Sequence, residues 1–190
     1  MASLKGTYVS ATVKALSAHR ERALQELPKD LHPYLHRRIL KSKWYPAHEH
    51  FALLRALVKV VEIDSPDPYA ALGAIAAERD MRSTYKVFLI EGNPASTFER
   101  LCSVWSLGHD DGEMRSKLDG PDAGSLELSG HEFCPPELCR LHSAFFARTL
   151  EMAGATGVEH SHTRCRAEGD ETCRWRYRWS WQPATGQSPV

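Results

Sequence analysis

Three cysteines and one histidine near the C-terminus are the residues best suited to chemistry: Cys139, His162, Cys165 and Cys173. Thiolates and neutral imidazoles are ligands that Zn²⁺ prefers, and a closed set of four is typical of structural rather than catalytic zinc sites. Gly169-Asp170 lies between the last two cysteines and is a dipeptide typical of turns. The pattern predicts a structural Zn²⁺ site formed by these four residues, and no catalysis by itself.

The elements that must position these residues are a helix and a β-hairpin. Pro135-Pro136 opens a predicted helix that ends near Met152, and strands are predicted over 157–166 and 172–181. A hairpin places its strand ends side by side, so Cys165 and Cys173 can face each other. His162 and Cys165 have opposite parity on a strand, so a bulge or an early turn must rotate one of them.

The spacing leaves other ligands open. His160 and His142 are rivals to His162, and Cys134 is a rival to Cys139. The alternative interpretation is a group of reduced, partly buried thiols that hold no metal.

The rest of the chain predicts an α+β fold, with a helical N-terminal part followed by an antiparallel sheet that ends in the hairpin. We expect one strand over 6–13. Helices are predicted over 16–27, 31–40, 48–61, 69–79, 84–91 and around 98–105, and strands over 114–118 and 125–129. Residues 1–182 are expected to form a single domain, and the polar, Pro- and Gly-containing residues 183–190 a disordered tail.

Composition narrows the function classes. The chain has 24 basic and 24 acidic residues and a formal net charge of zero, which argues against a nucleic-acid-binding protein. No apolar run reaches the ~20 residues of a membrane span. Five cysteines without a signal sequence indicate a reducing cytoplasm. Arginines alternate with aromatic residues over 173–181, which predicts an aromatic core face and an arginine face on opposite sides of one strand.

No enzyme motif is legible, and the chain is predicted not to be an enzyme. The nucleophile elbow, the P-loop and the dinucleotide fingerprint are absent. His48-Glu49-His50 lacks the spacing that places two imidazoles on one helical face.

The segment from Cys139 to Trp175 resembles the C-terminal half of the 4-vinyl reductase domain family, which is similar in fold to TRAPP transport subunits. The shared features are a helix cysteine, a glycine-rich break at Gly154 and Gly157, and Cys-x-x-x-Gly-Asp-x-x-Cys before an aromatic strand. In zinc-binding members the ligands match the four residues above, with a carboxylate where His162 stands. Trp44-Tyr45-Pro46 and the helix order also resemble an uncharacterised family of myxobacterial single-domain paralogues.

The resemblance implies a non-enzymatic sensor or regulatory module with a structural zinc. It also implies a possible small apolar or aromatic ligand, whose binding residues are unknown, a homodimer and an unidentified protein partner. The alternative is a protein-interaction scaffold with a filled core, like the transport subunits. Haem-based nitric-oxide sensors are distantly similar in fold to these domains, but their Tyr-x-Ser-x-Arg haem motif is missing here.

Overall fold

The computed structural model describes residues 1–182 and confirms the predicted α+β fold. Its α-helices are α1 Gly6–Ser17, α2 Arg20–Glu26, α3 Ala47–Val61, α4 Pro68–Met81, α5 Pro94–Gly108 and α6 Pro136–Met152. Its strands are β1 Ser3–Lys5, β2 Trp44–Pro46, β3 Glu113–Gly120, β4 Ala123–Ser129, β5 Thr156–Arg164 and β6 Cys173–Ser180. Short 3₁₀ segments lie at Lys29–Leu35, Lys86–Phe88 and Arg166–Glu168. None of the helices described is long and apolar enough to cross a bilayer.

The described residues divide into two compact units. The first contains Met1–Pro68, Leu107–Asp111 and His131–Phe133. Its core lies between α1 and α3, and the antiparallel pair β1–β2 holds the entrances of these helices together. In α3 the apolar side chains recur every three or four residues, at Phe51, Leu54 and Leu57, and all three are buried.

The second unit contains Tyr69–Ser106, Gly112–Gly130 and the described residues from Cys134 onward. Its antiparallel sheet has the order β3-β4-β6-β5, so the N-terminal strand of the closing hairpin, β5, is an edge strand. The helix α6 packs on this hairpin. Burial alternates strictly along β6, which confirms a buried aromatic face and an outward face that carries Arg174, Arg176 and Arg178.

Three local predictions are wrong. The helix predicted over 31–40 is a 3₁₀ segment, Lys29–Leu35, which contains Pro33 and ends before the irregular residues that lead to β2. The segment predicted as a strand over 6–13 is the start of α1, because Val9, Val13 and Leu16 all fall on one helical face and are buried together. The helix predicted over 84–91 is reduced to the 3₁₀ turn Lys86–Phe88. The predicted tail lies outside the described residues.

Candidate metal centre

The structure brings the four predicted ligand residues together. One ligand atom each from Cys139, His162, Cys165 and Cys173 lies within 4.8 Å of all the others. The three cysteines are buried and the histidine is exposed. All four belong to the second unit, on the first turn of α6, the end of β5, the loop after it and the start of β6. We call this set the thiol–imidazole cluster.

The predicted irregularity in the hairpin is present. The pairing of β5 with β6 shifts register between His162 and Arg164, opposite Trp175 and Arg174. This shift lets His162 and Cys165 point to the same site despite their opposite parity. The imidazole of His162 stacks on the indole of Trp175, with ring centroids 5.0 Å apart and planes inclined by 16°. The bulge and this stack together hold the imidazole beside the sulfurs.

The separations between the sulfurs favour a shared metal ion over a disulfide. The Sγ atoms of Cys139 and Cys173 are 3.6 Å apart, and those of Cys139 and Cys165 are 3.9 Å apart. A disulfide needs about 2.05 Å, and all five cysteines are free. Four ligands in a tetrahedron with metal–sulfur bonds of about 2.3 Å have sulfur–sulfur edges of about 3.8 Å. These two separations lie on either side of that edge, whereas the 3.3 Å between the Sγ atoms of Cys134 and Cys173 is shorter.

Two backbone amides of the loop between β5 and β6 make hydrogen bonds that shape the site, and one of them ends on a cluster sulfur. The amide of Arg166 donates a hydrogen bond to Cys173 Sγ at 3.4 Å, and the amide of Cys165 donates to a carboxylate oxygen of Asp170 at 2.7 Å. Gly169 has φ +103°, a left-handed conformation that closes the loop and that L side chains rarely adopt. The predicted Gly-Asp turn therefore has two roles, since glycine provides the turn and aspartate fixes the amide of Cys165.

The hydrogen bonds around the sulfurs favour the thiolate form of one cysteine. Hydrogen bonds from the thiols of Cys134 and Cys139, together with contact to His162, hold the pKa of the Cys173 thiol well below its ordinary value. Hydrogen bonds with Cys134 and Cys173 raise the pKa of Cys139 instead. Sulfur must lose its proton to bind a metal, and these hydrogen bonds favour Cys173 as a thiolate of the cluster.

The rival ligands differ in where they lie. The Nδ1–H of His142 donates a hydrogen bond to the carbonyl oxygen of Leu138 at 2.8 Å, and the imidazole packs against Trp105. His160 lies against the ring of Tyr177, with centroids 5.7 Å apart. Neither belongs to the cluster. Cys134 lies 3.3 Å from Cys173 Sγ, although the sequence had suggested it only as a substitute for Cys139. The position of Cys134 beside β6 depends on how the loop before α6 turns, and the spacing of cysteines in the sequence does not reveal that turn.

Aromatic rings fill the space between α5, α6 and the sheet. Phe98 contacts Tyr177 and Trp179 with centroids 5.8 and 5.5 Å apart, and Phe146 contacts Trp175 at 6.2 Å. One pocket of this unit lies at the far end of the hairpin. It has a volume of about 520 Å³ and is lined by Pro121, Asp122, Gly154, Thr156, Ser180, Trp181 and Gln182. This pocket has more polar than apolar lining and does not match the apolar ligand cavity that the resemblance implied.

Comparison with known proteins identifies the fold. No family model matches the chain, and no curated protein matches it. An H-NOX protein from S. oneidensis in the Fe(II)NO state superposes with a TM-score of 0.65 and 17% identity over 93% of this chain and 99% of that one. An H-NOX from T. tengcongensis superposes with a TM-score of 0.68 and 10% identity over 94% of this chain and 98% of that one. An oxygen-binding H-NOX domain related to soluble guanylate cyclases superposes with a TM-score of 0.67 and 12% identity over 98% of this chain and all of that one.

These comparisons correct three predictions. The resemblance to the 4-vinyl reductase domain family is wrong as an assignment, because the similar structures are H-NOX domains. The function inferred from it, a 4-vinyl-reductase-like sensor with a structural zinc and an apolar ligand, is corrected with it. The prediction of Zn²⁺ as the cofactor is also contradicted, because the similar structures include haem proteins.

The residues of this chain do not fit haem at the pocket described. Protein ligands to haem iron are histidine, cysteine, methionine or tyrosine side chains, and none of these lines the pocket beside Trp181. The sequence contains no Tyr-x-Ser-x-Arg. Four of its five cysteines lie against one another. What the comparisons establish is that this chain has the fold of the H-NOX domains.

Proposed function

We propose that this chain is a non-enzymatic regulatory module in which the thiol–imidazole cluster binds one metal ion. The observation that carries the proposal is the convergence of four ligand atoms within 4.8 Å from α6, β5, the loop after β5 and β6. Soft sulfur ligands favour thiophilic d-block ions. Four protein ligands fill a tetrahedral shell and leave no position for a substrate, so the ion would fix the hairpin to α6 rather than perform chemistry.

We also propose a cytoplasmic location, because cysteines that lie close together in the structure are reduced. All five cysteines are free, including two whose Sγ atoms are 3.3 Å apart. Thiols this close persist in a reducing compartment, whereas an oxidising one favours disulfides. A homodimer stays a proposal, which sedimentation of the purified chain tests.

Titration with Co²⁺ tests the metal site, because Co²⁺ reports its ligands through its absorption spectrum. Reduced, metal-free protein should take up one equivalent and show thiolate-to-cobalt charge-transfer bands together with the strong d–d bands of a tetrahedral ion. Cys139→Ser, Cys165→Ser and Cys173→Ser should each weaken or abolish these bands. His162→Ala should shift them, since three thiolates remain. Cys102→Ser is the matched control, because Cys102 lies on α5 outside the cluster.

Two outcomes would refute the site. One is the absence of charge-transfer bands in the reduced wild-type protein. The other is bands that survive Cys173→Ser unchanged. Cys134→Ser distinguishes two possible sets of ligands. An unchanged cobalt spectrum supports the set that contains His162, whereas loss of the charge-transfer bands shows that Cys134 is the fourth ligand in place of His162.

Haem-dependent gas sensing is the second candidate, and only the fold favours it, since the similar structures include a haem protein and an H-NOX protein in the Fe(II)NO state. Titration of the purified chain with haem tests it. A stoichiometric Soret band that shifts on exposure to nitric oxide would establish this function, and free-haem absorption alone would exclude it.

A further inference from the structure

A basic loop on the first unit stands apart from the neutral charge of the chain. We define it as residues 36–44, and every residue in it except Ile39 is exposed. It carries Arg37, Arg38, Lys41 and Lys43, and no acidic residue occurs anywhere from 31 to 48. Lys5 of β1 adds a fifth cation. Because the formal net charge of the whole chain is zero, the remainder carries a formal charge of −5.

Two apolar side chains are exposed among these cations. Leu40 is 39% exposed and Trp44 is 42% exposed. The ammonium of Lys5 lies 3.8 Å from the centre of the Trp44 ring and donates a hydrogen bond to the carbonyl of Ser42. A cation over an aromatic face is an attractive contact, so the indole is held at the surface by its neighbour instead of folding into the core.

Backbone contacts fix the shape of the loop. The amide of Gly6 donates to the carbonyl of Lys43 at 2.8 Å, and the amide of Lys43 donates to the carbonyl of Leu40 at 3.1 Å. The hydroxyl of the buried Tyr45 accepts from the amide of Leu40 at 2.9 Å. A Cβ on Gly6 would lie 2.1 Å from the carbonyl oxygen of Leu40, so only glycine permits this approach. The loop therefore presents its side chains from a defined platform.

We propose that this basic loop docks the protein on an anionic lipid bilayer. Tryptophan favours the bilayer interface, and lysine and arginine keep their charges at the headgroups while their stems cover apolar surface. Each cation near an anionic leaflet contributes about fivefold to binding, so a cluster of five produces substantial attraction without a membrane-spanning segment.

Lipid fits the loop better than nucleic acid does. Single-stranded nucleic acids bind by stacking bases on open aromatic faces. Lys5 covers one face of Trp44, and Arg37 covers the ring of Tyr34 at 4.0 Å. The loop thus offers exposed apolar side chains surrounded by charge, which an interface of headgroups and acyl chains accommodates.

Vesicle flotation tests this proposal with the full chain. Vesicles of phosphatidylcholine containing phosphatidylglycerol should bind the protein, vesicles of phosphatidylcholine alone should not, and added salt should weaken binding. Lys41→Gln with Lys43→Gln should weaken binding about 25-fold, from roughly fivefold for each cation removed. Trp44→Ala should weaken binding and reduce fluorescence quenching by brominated lipids.

The matched control removes the same charge elsewhere. Arg82→Gln with Lys86→Gln neutralises two exposed cations of the second unit and should leave vesicle binding within twofold. Equal losses of vesicle binding in the two double variants would show that binding depends on net charge alone, and would overturn the proposal. No binding to anionic vesicles at low salt, or preferential binding of a single-stranded oligonucleotide, would overturn it as well. Unchanged melting temperatures would confirm that all variants fold.

Discussion

Replacing Cys173 with serine tests whether a metal stabilises the fold. Cys173 is fully buried, its Sγ lies 3.3 Å from that of Cys134 and 3.6 Å from that of Cys139, and it accepts the amide of Arg166. A metal present at 100 times its dissociation constant stabilises the folded state by about 2.7 kcal/mol. A serine hydroxyl buried without good partners costs about 1–3 kcal/mol more.

The total loss for Cys173→Ser is therefore about 4–6 kcal/mol. For a chain of this size each kcal/mol shifts the melting temperature by about 2–4 °C, so we expect a decrease of roughly 8–24 °C. The assay is thermal unfolding by circular dichroism, with and without a chelator. The chelator should destabilise the wild-type protein by the metal contribution alone and should leave Cys173→Ser unchanged.

Cys102→Ser provides the control, because it removes a half-buried thiol outside the cluster and should preserve the effect of the chelator. A wild-type melting temperature that the chelator does not change would refute the reasoning. The stability lost in Cys173→Ser would then arise from packing alone.

Three further predictions follow from local contacts. Gly73→Ala should destabilise the protein by about 1–3 kcal/mol in urea unfolding, because the added Cβ would lie 2.1 Å from the carbonyl oxygen of Leu141. Helix propensity alone predicts that the same substitution stabilises the protein by about 1 kcal/mol, so a measured increase in stability would contradict the close contact. Asp170→Ala should cost about 1 kcal/mol and weaken Co²⁺ binding by freeing the amide of Cys165, and Asp170→Asn should restore most of both. Burial raises the pKa of Cys102, so its alkylation rate should rise with pH above the ordinary thiol range, and a midpoint near that of a free thiol would contradict this.

The C-terminal half of the fold follows from local sequence signals. Alternation along β6, the proline pair before α6 and the Gly-Asp turn each specify an element independently of distant contacts. These elements are sufficient to bring the four ligand residues together, including the bulge that parity required at His162. The cluster was therefore predictable from spacing and hairpin geometry, although its occupancy is not.

The N-terminal half depends more on tertiary packing. The β-favouring residues of 6–13 suggest a strand, but burial of Val9, Val13 and Leu16 on one face stabilises a helix instead. The family assignment was wrong for a different reason. A helix cysteine and a hairpin with two cysteines constrain only a local arrangement, and similarity of 10–18% identity to H-NOX domains becomes visible only in the superposed folds.

Elemental analysis of the purified protein, combined with its absorption spectrum, tests the central claim most directly. The protein should be expressed in metal-replete medium and kept reduced throughout purification. The account predicts about one equivalent of a thiophilic metal that Cys173→Ser loses and Cys102→Ser retains, with no Soret band. Protein free of bound metal, or iron accompanied by a stoichiometric Soret band, would contradict it.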